Sequence, residues 1–254
     1  MAPDVRRYLY PVIGIASVLL AWHIYVVQFN VSVAVLPRPA LVFEAMVKER
    51  ALLLREAWTT FQECLYGFLL ALGLGVPIAV AVANSRMLNL TFYPLLVATQ
   101  SVPKVALAPV VLVWFGIGLE SKLAIAWLVA VFPIVVDTVT GLRSTPHDLL
   151  DLARSLRASR WQVFTKVQFP AALPFVMSGS KVAITLAVIG AVIGEFVGST
   201  EGLGNLLLVA NSQVNTPLAF AALFALAVLG LLLYGAVVLI ERLMGPWLSP
   251  VDHR

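Results

Sequence analysis

Six long apolar stretches separated by polar segments organise this chain: residues 10–29, 64–83, 92–115, 123–140, 173–197 and 218–240. A bilayer hydrocarbon core about 30 Å thick needs roughly 20 apolar residues at about 1.5 Å each, so every stretch predicts one crossing helix. The second and sixth carry no charge. The fourth is the weakest, because its uncharged run is short and Asp137 follows it. The third contains Pro103, which breaks a helix and opens carbonyls to a neighbouring cavity. Arg6 and Arg7 ahead of the first stretch imitate a signal peptide, but the apolar run exceeds the roughly 7–15 residues of a signal core. A retained anchor is expected.

Composition agrees with lipid as the main solvent. Hydrophobic residues make up 61% and charged residues 12%, against roughly 45–50% and about 25% in soluble domains. A soluble enzyme and a disordered chain are excluded. The net charge of +4 calls for no nucleic acid. With the amino terminus inside, about twice as many Lys and Arg fall in inner segments as in outer ones, the 141–172 loop holding the densest group. Both termini are therefore expected in the cytoplasm. A single cysteine, Cys64, excludes an internal disulfide. The outer segment 30–62 contains Pro37 and Pro39, and residues 40–54 pattern as an amphipathic helix lying on the membrane or covering the bundle. The expected division is an anchor and external segment over 1–62, a five-span core over 63–242 with its loop 142–172, and a cytoplasmic tail over 243–254.

The polar segment 145–170 predicts two short helices. Thr145 suits an N-cap, Pro146 the first helical position, and Asp148 the amides beyond it. Leu149, Leu152, Ala153 and Leu156 then repeat at three- and four-residue spacing as an apolar stripe. Ser159 followed by Gln162 is a second capping box, and Pro170 and Pro174 are expected to close the segment before the fifth span. Helices this short are marginal in water. Two readings stand: a loop resting on the bundle, or an element that docks into a groove on a cytoplasmic partner.

This segment resembles the EAA loop of permeases from binding-protein-dependent ABC importers, in which Glu-Ala-Ala, three residues and Gly-Ala precede a run ending in Leu-Pro. Here it stands as Asp151-Leu152-Ala153-Arg154-Ser155-Leu156-Arg157-Ala158, with Phe169-Pro170 and Leu173-Pro174 following. The motifs Val102-Pro103-Lys104-Val105-Ala106-Leu107-Ala108-Pro109, Leu112-Val113-Trp114-Phe115-Gly116-Ile117-Gly118 and Gly194-Glu195-Phe196-Val197-Gly198 resemble the nitrate, sulfonate and taurine branch. The resemblance implies an all-α polytopic membrane protein of type I importer design. It also implies a second permease copy or paralogue, two cytoplasmic ATPase subunits, and a periplasmic or lipid-anchored solute-binding protein. By the same resemblance Asp148, Asp151, Leu152, Ala153, Ser155, Leu156, Arg157, Ala158, Ser159 and Arg160 carry ATPase coupling. Arg157 departs from the family at the glycine position. Either it takes the left-handed backbone that ends a helix, at about 1 kcal/mol, or the turn closes with negative φ.

The chain has no Gly-x-x-x-x-Gly-Lys-[Ser/Thr] loop to cradle nucleotide. ATP and Mg are expected on the partner ATPase, with no cofactor and no metal on this chain. Pathway candidates are Pro103, Lys104, Gly190, Gly194 and Glu195. Lys104 offers a cationic wall, and Glu195 a border to the solute entrance at the outer end of span five. Gly190 and Gly194 belong to a small-residue line that is either a moving contact or static packing. His23 reads as structural. Lys181 and Asp137 read as groups snorkelling to the interface. An ion-gradient-driven secondary transporter is the rival function. It lacks support from any visible repeat or from a carboxylate near a span centre.

Overall fold

The structure, a computed structural model, describes residues 5–245. Arg254, Trp247 and most of the expected tail lie outside the described residues. The described chain is helical, with no strand among its residues. α1 (Val5–Gln28) leads into α2 (Pro39–Lys48), and α3 (Arg50–Asn84) follows after a one-residue break at Glu49. α3 runs 35 residues, about 52 Å, and passes straight through 62–63. Residues 50–62 are therefore the first part of a helix long and apolar enough to cross a membrane, and only 39–48 form the separate helix expected over 40–54.

The third apolar stretch is broken. α4 (Arg86–Ala98) gives way to 3₁₀ turns at Thr99–Ser101 and Lys104–Leu107, and α5 (Ala108–Phe115) completes it. Pro103 sits at the break in extended backbone, with no N–H to continue a helical ladder.

The stretch that looked weakest forms the centre of the bundle. α6 (Leu119–Arg143) packs against α3 on one side and α9 (Phe169–Gly198) on the other. Asp137 ends a hydropathy run without ending a helix, because it lies half-buried beside Gly179 of α9 instead of in lipid. α10 (Leu203–Ser212) and α11 (Thr216–Leu243) close the bundle. Four helices, Arg50–Asn84, Leu119–Arg143, Arg160–Gly198 and Thr216–Leu243, are long and apolar enough to cross a membrane. The other two expected crossings fall on α1, with the shorter apolar run Val12–Gln28, and on the broken α4–α5 pair.

The small-residue line of α9 faces inward to α6. A Cβ on Gly190 would stand 2.7 Å from Ala126 Cα, and one on Gly194 3.2 Å from Lys122 Cα. These glycines let two backbones of one chain approach closely. That favours the static reading over a moving contact between copies.

Candidate functional site

The 145–170 segment is built by local chemistry. Thr145 does not cap the helix after it. Its hydroxyl turns back to the Leu142 carbonyl at 3.1 Å, and Pro146 takes the N-cap position of α7 (His147–Ser155) with no side-chain bond. Pro146 fixes its own φ near the value this position needs, so the helix starts without the hydroxyl. Asp148 stands in the first turn, where its charge favours the helix dipole.

α7 ends in a Schellman turn. Ala158 N–H donates to Ala153 O at 3.0 Å, Arg157 N–H donates to Arg154 O at 2.9 Å, and Arg157 adopts φ 54°. Arg157 thus takes the left-handed backbone itself. Ser159 then opens α8 (Arg160–Val163). Gln162 N–H donates to Ser159 Oγ, and Ser159 N–H donates to Gln162 Oε1 at 2.8 Å, completing the expected capping box.

α8 is not a separate helix in the way the two prolines suggested. A π-helical turn, Phe164–Gln168, carries it into α9, and Arg160–Gly198 is one rod of 39 residues. The wider turn absorbs the carbonyl that Pro170 cannot bond, so the chain need not stop. Trp161, Phe164 and Phe169 pack in series along this turn, with ring centroids 5.7 and 5.8 Å apart.

α7 exposes apolar side chains among its polar ones. Ala153 is buried, while Leu149, Leu152 and Leu156 are 41, 58 and 74% exposed. Trp161 is exposed beside them. Asp151 accepts from Arg154 at 3.0 Å and Ser155 Oγ donates to Asp151 O at 2.9 Å, both on the exposed face. Arg157, Ser159 and Arg160 rim the stripe in solvent, and Ala158 is half-buried. Three exposed leucines on a short helix, with polar groups among them, make an apolar patch of the kind that protein contacts bury.

The pathway candidates scatter. Pro103 is exposed and Lys104 half-buried, its Nζ 5.7 Å from the Phe132 ring centroid. Gly190 and Gly194 face α6. Glu195 does not border an open entrance. It is 1% exposed and accepts from Thr60 Oγ1 at 2.6 Å and from Gly204 N–H. Around it lies a buried polar cage absent from the sequence reading. Glu56 accepts from Gly202 N–H at 2.6 Å, Thr60 Oγ1 from Leu203 N–H at 2.9 Å, and Glu63 from Lys122 Nζ at 2.6 Å.

The cage has one evident task. Gly202, at φ 103°, begins α10 without a side chain to cap it. Glu56, Thr60 and Glu195 supply from α3 and α9 the acceptors that the first amides need. The available signal was Glu56, Thr60 and Glu63 at four- and three-residue spacing in line with Cys64 and Gly67. That line went unread because hydropathy assigned the segment to the outside.

Known proteins resemble this chain. The family described as the binding-protein-dependent transport system inner membrane component matches residues 71–246. The chain belongs to this family. The permease is 37% identical to the riboflavin transport system permease protein of Chloroflexus aurantiacus, over 97% of this chain and 96% of the relative. It is 31% identical to a putative aliphatic sulfonates transport permease protein of Bacillus subtilis, over 91% and 85%. The solved structure of the MetNI methionine ABC transporter in inward facing conformations shares the fold at TM-score 0.68 and 23% identity, covering 77% of the permease and 97% of that chain. The all-α, type I importer design expected from the motifs is thus the fold of this ABC importer permease subunit.

Proposed function

We propose that this permease imports a small polar solute and is driven through α7 and the foot of the Arg160–Gly198 rod by an ATPase that is a separate polypeptide. The observation that carries the proposal is the exposed Leu149, Leu152 and Leu156 stripe on a helix whose Ala153 is buried. Two such chains, or one and a paralogue, would enclose the pathway. Two ATPase subunits carrying ATP and Mg would grip the two stripes, and a binding protein would deliver solute from the far side. Both termini and the α7 loop would then be cytoplasmic.

Closure of the ATPases pulls α7. The unbroken rod passes the displacement to α9, and α9 moves α6 with it through the close glycine contacts. No covalent step occurs on this chain. The riboflavin relative, more similar than the sulfonate one, favours a nitrogen heterocycle of vitamin or vitamin-precursor type. A sulfonate is the second reading, supported by the sulfonate relative.

The test is Leu156→Glu in the permease co-expressed with its ATPase and reconstituted with its binding protein. The variant is expected to fold, to lose the ATPase on purification and to lose ATP-dependent uptake. Retained co-purification and uptake would remove the docking claim, and uptake by the permease alone without ATP would favour the ion-driven rival.

A further inference from the structure

α9 and α11 leave between them a groove of about 440 Å³, lined by Ser178, Lys181, Val182, Thr185, Leu186 and Tyr234. One end is charged. Lys181 Nζ donates to both carboxylate oxygens of Glu241, at 2.8 and 3.0 Å, and each side chain keeps about a quarter of its surface exposed. Glu241 stands in the last turn of α11, at the level where a crossing helix leaves the hydrocarbon. Tyr234 lies two turns deeper, and Thr185 one turn deeper than Lys181.

Beyond Thr185 the exposed side of α9 is Ile189, Phe196 and Val197, and α11 exposes Leu231 one turn before Tyr234. In this groove Thr185 Oγ1 donates to the Lys181 carbonyl, so its polar groups besides the Tyr234 hydroxyl gather at the interfacial end, at Ser178 and the Lys181–Glu241 pair. Its walls suit an amphiphile: a head at the membrane surface and a chain running inward.

The charges specify the head. Lys181 and Glu241 neutralise each other, so the groove attracts no net charge yet offers both signs. A lysine ammonium has three N–H donors, of which Glu241 takes two, and the exposed Ser178 hydroxyl stands one turn away. These suit a phosphate. The Glu241 carboxylate has lone pairs left for an ammonium that can donate hydrogen bonds.

We propose that this groove binds a zwitterionic phospholipid with a primary ammonium head group. Its phosphate sits on Lys181 and Ser178, its ammonium on Glu241, and an acyl chain lies along Val182, Leu186 and Tyr234. A quaternary ammonium cannot donate to Glu241, and an anionic head brings no cation to it. The bound lipid braces the rod against the last span, and the site stands independently of which solute is carried.

The test uses the full permease–ATPase complex, exchanged into vesicles of equal parts phosphatidylethanolamine, phosphatidylcholine and phosphatidylglycerol, and native mass spectrometry of the retained lipid. Wild type is expected to keep phosphatidylethanolamine about tenfold over the other two, the scale of one hydrogen bond to a charged group. Glu241→Gln should lose the preference over phosphatidylcholine, and Lys181→Met should lose retention of all three. Ser178→Leu, at an exposed position where folding is not at stake, should lower retention several-fold. Equal retention of the three lipids by wild type, unchanged preference in Glu241→Gln, unchanged retention in Ser178→Leu, or displacement of the lipid by riboflavin would overturn the assignment. Retention is read without transport, so its failure leaves the import reading untouched.

Discussion

The α7–α8 turn and the cage around the start of α10 are opposites in construction. The turn closes on itself through bonds spanning three to five residues, Ala158 to Ala153, Ser159 to Gln162, and leaves its leucines bare. The cage is closed by bonds from Gly202 N–H to Glu56 and from Leu203 N–H to Thr60, partners 146 and 143 residues apart, and keeps Glu56, Thr60, Glu63 and Glu195 buried. One region holds its own shape and awaits a partner. The other has no shape without the rest of the fold. Damage to the cage should unfold the permease, whereas damage to the stripe should disconnect a permease that remains folded.

Lys122→Met should be the most harmful to folding. It leaves the Glu63 carboxylate buried without its cation, and breaking such a pair costs about 3–5 kcal/mol. Thermal unfolding in detergent should shift down sharply, with little folded protein recovered. If the variant unfolds like wild type, the pair is no part of what holds α3 to α6.

Glu195→Ala comes next. It strips the acceptor from Gly204 N–H and from Thr60, at about 1–3 kcal/mol for buried groups left unpaired. Amide exchange at the start of α10 should rise before the rest of the bundle opens. Uniform exchange across α10 and α11 would show that the cage does not pin this helix.

Arg157→Gly should have the smallest effect and the opposite sign. Relief of left-handed backbone at φ 54° stabilises the turn by about 1 kcal/mol, offset in part by glycine's unfolded entropy. A small upward shift in unfolding with coupling intact is expected. Loss of ATPase coupling would instead assign the guanidinium itself to the contact.

The same contrast explains what was legible in the sequence. Ser159 and Gln162 could be read as a capping box because both partners lie within one turn, and the conformational choice at Arg157 could be framed from its position alone. Thr145 was misread because two local rules competed there. Its hydroxyl satisfied the end of α6, and Pro146 needed no help to start α7. The cage was illegible because Glu56, Glu63 and Lys122 look like water-facing charges until α3 is seen to extend past the apolar run. Lys122 in particular ends a hydropathy window and yet is the buried counter-charge of Glu63. Glu195 was noticed, but no spacing in the chain announces Thr60 or Gly204 as its partners.

The central claim is that the α7 stripe meets an ATPase at the cytoplasmic face, and Leu152→Cys tests it most directly. The native Cys64 is fully buried, so the new thiol, on an exposed position, is the reactive one. In membranes containing the permease and its ATPase, a short bis-maleimide should yield a permease–ATPase adduct whose amount changes when ATP is trapped on the ATPase. A thiol that reacts fully with a membrane-impermeant maleimide added outside intact cells, with no adduct to the ATPase, would contradict the account.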